Sequence, residues 1–195
     1  MIAIINYEAG NLASVSNALQ RLNAPHMITS HPDELEQADG IIFPGVGHAQ
    51  PAMASLQKNG LDHWLKGTQK PVLGICLGMQ LLFESSEEGN GTKGLGLIPG
   101  NLQKFDSSQN KVPHMGWNIF ADTDNHPLLT KVTGRYFYYV HSYYAPVNTY
   151  TVATCRYITS FTSVIAKDNF MGVQFHPEKS GDAGSRLLKN FLQLI

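Results

Sequence analysis

Pro71-Val72-Leu73-Gly74-Ile75-Cys76-Leu77-Gly78-Met79-Gln80 reads as a strand that runs into a helix at a cysteine. Val72 to Ile75 is short, apolar and β-branched at both ends, the composition of a buried strand. Met79 to Glu84 is rich in good helix formers and predicts a helix. Cys76 stands at the junction, with Gly74 and Gly78 two residues away on either side. That spacing is a nucleophile elbow with sulfur in place of oxygen. Such a turn strains the backbone of its nucleophile, and small neighbours let the flanking chains pass closely. The thiol would face a helix N-terminus, whose free N–H groups and dipole favour a thiolate. The competing reading is a buried core thiol, because free cysteines are among the most buried residue types. The two glycines bring these readings level, and the rest of the chain has to separate them.

Outward from the elbow, the N-terminal half alternates between strand and helix patterns. Ile2 to Asn6, His26 to Thr29 and Ile41 to Phe43 read as strands. Gly10 to Leu22 reads as a helix with Leu12, Val15, Leu19 and Leu22 on one face. A short helix around Asp33 to Gln37 and two more, Ala49 to Lys58 and Leu61 to Lys66, precede the elbow. The alternation predicts an α/β fold whose mostly parallel central sheet is covered by helices on both faces. From about Leu95 to Tyr157 the pattern changes to aromatic and β-branched runs, including Arg135 to Tyr144 and Thr151 to Tyr157. These predict strands, partly antiparallel, at the sheet edge or in a small flanking sheet. Asp106 to Asn110 predicts a turn, and Met171 to Phe175 a final strand. Ser180 is a candidate N-cap for a last helix that turns Leu187, Leu188, Phe191 and Leu192 to the core. No repeat or linker divides the chain, so residues 1–195 are expected to form a single domain.

Bulk properties narrow the function classes. A net charge of −1 argues against nucleic acid or an anionic membrane as the main partner. No apolar run approaches a membrane span, and the N-terminus lacks a basic leader. The two cysteines, Cys76 and Cys155, suggest no disulfide scaffold, which fits a reducing cytoplasm. The eight histidines show no metal-ligand spacing, so neither a metal nor a cofactor is expected.

A cysteine nucleophile needs a base, and the base a third group to orient it. Gly172-Val173-Gln174-Phe175-His176-Pro177-Glu178 offers both at a strand end. His176 and Glu178 are two apart, so in extended backbone they project to the same side. Ligands of a parallel α/β sheet sit at the carboxyl ends of its strands, where Cys76 and His176 would both lie. Pro44-Gly45-Val46-Gly47-His48 follows the third strand, and its glycines allow backbone N–H groups to approach an oxyanion.

The Gly74–Gln80 string together with His176-Pro177-Glu178 resembles the class I glutamine amidotransferases, which use a Cys–His–Glu triad. The finer match is to the family of glutaminase subunits of imidazole glycerol phosphate synthases, in histidine biosynthesis. It is carried by Pro44–Gly47, Met79–Glu84, Pro113-His114-Met115-Gly116-Trp117-Asn118, His141-Ser142-Tyr143 and His176–Ser180. The resemblance runs from the first strand to the last helix and implies a flavodoxin-like sheet. One departure stands out. The family carries a glycine in an Asp-Tyr-Gly-x-Gly-Asn turn after the first strand, where this chain has Asn6-Tyr7-Glu8-Ala9-Gly10-Asn11.

The resemblance implies glutamine hydrolysis through a thioester on Cys76, with His176 relaying the proton and Glu178 orienting the imidazole. It implies oxyanion donors from Leu77 and from Val46 and Gly47, the latter strip reorienting to switch activity on. Gln80, Glu84, His141, Ser142 and Tyr143, with Gly47 close by, would bind the glutamine backbone end. Asn11, Pro113, Met115, Trp117, Tyr138 and Lys179 would face a (β/α)₈-barrel cyclase subunit, the partner in a heterodimer that receives the ammonia. Competing readings are a glutaminase subunit for anthranilate or pyridoxal phosphate synthesis, and a catalytically silent binding subunit. The Pro113–Asn118 string argues against the first, and the intact triad against the second.

Overall fold

The computed structural model describes residues 1–195. Its elements follow the expected alternation: β1 (Ile2–Ile5), α1 (Leu12–Arg21), β2 (His26–Thr29), α2 (Pro32–Leu35), β3 (Gly40–Gly45), α3 (Ala49–Lys58), α4 (Leu61–Gly67), β4 (Val72–Cys76) and α5 (Leu77–Leu81). The middle of the chain supplies β5 (Phe83–Ser86), β6 (Thr92–Lys93), β7 (Ile98–Lys104), β8 (His114–Thr123), β9 (Tyr136–His141) and β10 (Tyr143–Tyr144). The chain closes with β11 (Thr151–Arg156), β12 (Ser160–Lys167), β13 (Phe170–Val173) and α6 (Gly181–Leu192).

Nine strands form one sheet in the order β2-β1-β3-β4-β13-β12-β11-β8-β9. The first five pair in parallel and the remaining pairs are antiparallel. The antiparallel strands therefore make up nearly half of the sheet rather than trimming its edge. A second, four-stranded sheet runs β10-β7-β5-β6.

Period-two alternation explains why the parallel half is covered on both faces. Ile2, Ile4, Ile42, Leu73 and Ile75 pack with Val15 and Leu19 of α1 and Leu187, Leu188 and Phe191 of α6. Ala3, Ile5, Ile41, Phe43 and Val72 point the other way, against Met53 and Leu56 of α3 and Leu61 and Leu65 of α4. The parallel strands all end at the same edge, and that edge carries the elbow.

The structure departs from the expectations at three points and adds one strand, β12, that they did not include. The helix after the cysteine spans Leu77–Leu81, not Met79 to Glu84. It stops there because Phe83, fully buried, pairs with Ile98 in the small sheet. β12 carried no clear apolar signal, since Thr162 and Ser163 are buried within it and bonded to Pro146 O and Tyr139 Oη. Pro177 to Lys179 forms a 3₁₀ turn, so His176 and Glu178 are not joined by extended backbone. Ser180 sits at the N-cap position of α6 without capping it; its hydroxyl donates to the His176 carbonyl and accepts from the Tyr138 N–H.

The departure at Glu8 has a backbone consequence. Glu8 adopts φ 65°, the left-handed region that costs an L-residue about 1–2 kcal/mol. The glycine of the family turn relieves that strain, offset in part by the greater freedom of its unfolded chain. Glu8→Gly is therefore expected to stabilise the protein by about 0.5–1 kcal/mol, a rise in Tm of about 2 °C. Calorimetry on the two chains checks this, and a lower Tm for the variant would refute it.

Candidate active site

β4 ends at Cys76, and the chain turns there under visible strain. Cys76 has φ 53° and ψ −109°, and Leu77 begins α5 directly after it. Two close approaches make the turn feasible. A Cβ on Gly74 would stand 2.7 Å from Met79 N, and one on Gly78 only 1.8 Å from the Phe43 carbonyl oxygen. The flanking glycines are thus required by contact, Gly74 with the turn itself and Gly78 with the neighbouring strand β3.

Register then assembles the neighbours. Gly45 pairs with Cys76 across β3 and β4, so the strip Val46-Gly47 starts beside the nucleophile. Tyr7, fully buried, donates its hydroxyl to the Pro44 carbonyl at 2.8 Å and anchors the root of that strip. Burial, and then the charge of Cys76, push the Tyr7 phenol well above its ordinary range, so it stays a donor. Gly47 has φ 95°, and neither the Val46 nor the Gly47 N–H donates a hydrogen bond within the protein. The Leu77 N–H opens α5, where no intrahelical acceptor exists.

β13 delivers the base to the same edge. His176 Nδ1 lies 2.8 Å from Glu178 Oε1, and both side chains are almost fully buried. The His176 N–H donates to the Tyr138 carbonyl at 2.9 Å. Tyr138 lies in β9, four positions from β13 by way of the sheet, so the antiparallel half curls back to clasp the histidine. Because the carboxylate takes the Nδ1 proton, Nε2 is the nitrogen left for the thiol. Nε2 is buried and makes no well-formed hydrogen bond. Burial lowers the imidazole pKa, but the neighbouring Cys76 sulfur and then Glu178 outweigh it and lift it to about 10. The sulfur and the carboxylate thus strengthen the hold of His176 on its proton, which suits it to act as a proton donor. Cys155, by contrast, is a core thiol pushed up to about 11 by burial.

Cys76 and His176 share a cavity of about 780 Å³ with Val46, Gly47, Leu77, Gln80, His141, Ser142 and Tyr143. Glu84 is not among its walls. It lies in β5, exposed, and its Oε2 accepts the Gly100 N–H at 2.9 Å. Glu88 lines the cavity instead, one oxygen 2.8 Å from His48 Nδ1 and the other accepting the Ala49 N–H at 2.8 Å. Sequence reasoning also passed over Tyr7 and Gln174. Gln174 is fully buried, and its Nε2 faces Cys76 Sγ at 3.8 Å. The turn Ser86-Glu87-Glu88-Gly89-Asn90-Gly91 has no periodicity to single out Glu88.

The residues expected to meet a partner fall mostly on one surface. Met115 and Trp117 are 63% and 57% exposed and alternate on one face of β8. Trp117 pairs with Tyr138, their rings 6.0 Å apart, and exposed Tyr136 continues the strip along β9. Pro113 lines the cavity, Lys179 is exposed in the turn after His176, and Asn11 caps α1 by accepting the Ser14 N–H.

A strained cysteine elbow facing a carboxylate-backed histidine defines a cysteine-dependent hydrolase on a doubly covered α/β sheet. Its class follows from comparison: the chain belongs to the class I glutamine amidotransferase family, whose profile matches residues 3–194. Within that family it is similar over its whole length to imidazole glycerol phosphate synthase subunit HisH. The HisH of Bacteroides fragilis (strain ATCC 25285) is 46% identical over 195 residues, covering 99% of each chain. That of Listeria innocua is 50% identical over 199 residues, covering 100% of this chain and 96% of the relative. Two solved structures share the fold. A glutamine amidotransferase superposes with a TM-score of 0.74 at 15% identity, covering 100% of this chain and 98% of its own. PurLQS from Thermotoga maritima superposes with a TM-score of 0.69 at 18% identity, covering 99% and 97%.

Proposed function

We propose that this chain is the glutaminase subunit of an imidazole glycerol phosphate synthase, working in the cytoplasm in histidine biosynthesis. The observation that carries the chemistry is the meeting of Cys76 and the Glu178-backed His176 in one cavity. The full-length similarity to HisH supplies the pathway.

The Cys76 sulfur attacks the side-chain carbonyl carbon of glutamine, and the carbonyl π pair moves onto oxygen. Leu77 N–H, with Val46 or Gly47 N–H, stabilises that oxyanion. His176 Nε2–H protonates the leaving nitrogen, the C–N bond breaks, and ammonia departs. Water, deprotonated by the now neutral Nε2, then attacks the γ-glutamyl thioester and releases glutamate. Glu178 holds the imidazole through its Nδ1–H and offsets its charge. Gln80, Glu88, Ser142 and Tyr143 line the same cavity, and we assign them to the α-amine and α-carboxylate of glutamine. Neither a metal nor a cofactor has a role in these steps.

Free ammonia in water is protonated and lost as a nucleophile, so release has to occur into a docked acceptor. The apolar strip Met115, Trp117, Tyr136 and Tyr138, with Pro113, Lys179 and Asn11 around it, is the surface we assign to a (β/α)₈-barrel cyclase, giving a heterodimer. The test is an assay of glutamate release by the chain alone, with the barrel subunit, and with the barrel and its nucleotide ligand. Slow turnover alone, rising at least about tenfold in the liganded complex, is expected. Fast turnover by the free chain would remove the gating, and no glutamate under any condition would overturn the activity.

A further inference from the structure

Behind the cavity wall, a line of side chains that the thioester chemistry does not use runs from β8 to the nucleophile. It begins at Asn118. Asn118 Nδ2 donates to the Arg156 carbonyl at 3.0 Å, and its Oδ1 accepts the Ile119 N–H at 2.8 Å. A carbonyl only accepts and a backbone N–H only donates, so the amide can point only one way. The second Nδ2 hydrogen lies toward His114 Nε2 at 3.3 Å, which makes that nitrogen an acceptor. His114 then carries its proton on Nδ1 and donates to His141 Nε2 at 3.0 Å. His141 in turn carries its proton on Nδ1 and donates to the Tyr143 carbonyl at 2.8 Å. That carbonyl can only accept, so the far end imposes the same direction as the near end. Burial supports two neutral rings, pushing His114 to about 4 and His141 to about 3. His114 is also clamped flat between Tyr139 and Tyr157, with ring centroids at 4.9 and 4.2 Å.

A second donor meets the line at Tyr143. Its carbonyl also accepts from Gln80 Nε2 at 3.1 Å, and the other Gln80 amide hydrogen goes to Gln174 Oε1 at 3.0 Å. With Oε1 occupied, Gln174 turns its Nε2 toward Cys76 Sγ. A flipped Gln174 would set an oxygen against the sulfur and repel a thiolate. Both nitrogens of His141 are committed within this line, which leaves it nothing to offer glutamine directly.

We propose that Asn118, His114 and His141 form a one-way hydrogen-bond relay that ends on the Tyr143 carbonyl and, by holding that shared acceptor in place for Gln80, positions Gln174 and the donor that faces the Cys76 sulfur. The three are positioning residues. The relay itself is read from this chain's geometry, and only its effect on turnover rests on the glutaminase assignment.

The first measurement is nitrogen NMR of the imidazoles in the free chain at pH 7. Both His114 and His141 are expected as neutral rings protonated on Nδ1. A charged ring, or one protonated on Nε2, would overturn the relay. The second compares His114→Asn, which keeps a donor at the Nδ1 position, with His114→Leu, which fills the space better but donates nothing. The pH profile of Cys76 alkylation by iodoacetamide is expected to stay near wild type in the Asn variant and to move to higher pH in the Leu variant. Glutamine kcat should fall about tenfold further in the Leu variant than in the Asn variant, the loss that follows when about 1.4 kcal/mol of positioning is removed. A purely structural imidazole predicts the reverse order, because leucine suits a buried site better than asparagine, and that order would refute the proposal. Neither NMR nor alkylation needs glutamine, so a chain with no glutaminase activity would leave both tests standing. Should the Leu variant fail to fold, the wild-type tautomers decide alone.

Discussion

Cys76→Ala is expected to lower glutamine hydrolysis by about 10⁴-fold or more while glutamine still binds. The size follows from the absence of a substitute. Cys155 is a core thiol with its pKa raised by burial, and the one hydroxyl of a serine or threonine lining the cavity, that of Ser142, is not carried on the elbow. Removing the sulfur leaves the oxyanion donors and His176 in place, so residual catalysis comes only from water attacking a bound amide. Binding should change by less than about threefold, since the side chains proposed to hold the α-amine and α-carboxylate, Gln80, Glu88, Ser142 and Tyr143, are untouched. Stability should hardly move, because alanine inherits the same strained φ and gives up one small buried atom, within about 1 kcal/mol. The measurements are glutamate release in the complex with the barrel subunit, calorimetric titration with glutamine, and a melting curve. Turnover within tenfold of wild type would exclude Cys76 as the nucleophile. Loss of binding together with turnover would mean that the substitution had broken the pocket and not the chemistry.

The elbow could be read from the sequence because its signature lies within five residues. Gly74 is dictated by a contact inside the turn and Gly78 by the Phe43 carbonyl of β3, but both glycines stand beside Cys76 in the chain, and the apolar run before it marks a buried strand. The strip at Val46 and the base at His176 were legible for a related reason: both directly follow parallel strands, whose ends converge by topology. What escaped depends on pairing between distant segments. Helix propensity carried Met79 onward through Glu84, because the signal that stops it is Ile98, fifteen residues past Phe83. Glu84 was placed at the pocket by resemblance alone, and Glu88 was passed over because His48 and the Ala49 amide draw it in from a glycine-rich turn. The His176–Glu178 pair was found by an argument about extended backbone, yet a 3₁₀ turn is what joins them. An i, i+2 spacing brings side chains together in more than one backbone geometry, so the pairing was visible and its cause was not. Gln174 and the two relay histidines were invisible as a group, since direction in a hydrogen-bond chain has no periodicity to betray it.

Gly78→Ala should be among the most damaging single-methyl additions in the molecule. The new Cβ would sit 1.8 Å from the Phe43 carbonyl oxygen, deep inside van der Waals contact, and that oxygen belongs to the backbone of a central strand. No rotamer change relieves such an overlap. Either β3 or the first turn of α5 has to move, and both are packed among fully buried residues such as Phe43, Met79 and Leu82. The expected cost is about 3 kcal/mol or more, at the high end of overpacking. For a chain of this length that lowers Tm by roughly 6–12 °C. The same shift pulls Leu77 N–H and Cys76 away from the Gly45 register, and a displacement of about 1 Å near reacting atoms costs about 10²-fold. The folded fraction of Gly78→Ala should therefore show slowed alkylation of Cys76 and at least about 100-fold lower turnover. Gly67→Ala is the matching control. Its Cβ meets nothing within 4 Å, and its φ lies outside the left-handed region. It should stay within about 0.5 kcal/mol of wild type. Equal melting temperatures for the two variants would show that β3 and α5 can separate at little cost. The glycine frame around Cys76 would then be a matter of composition, and the strain at the nucleophile would need another source.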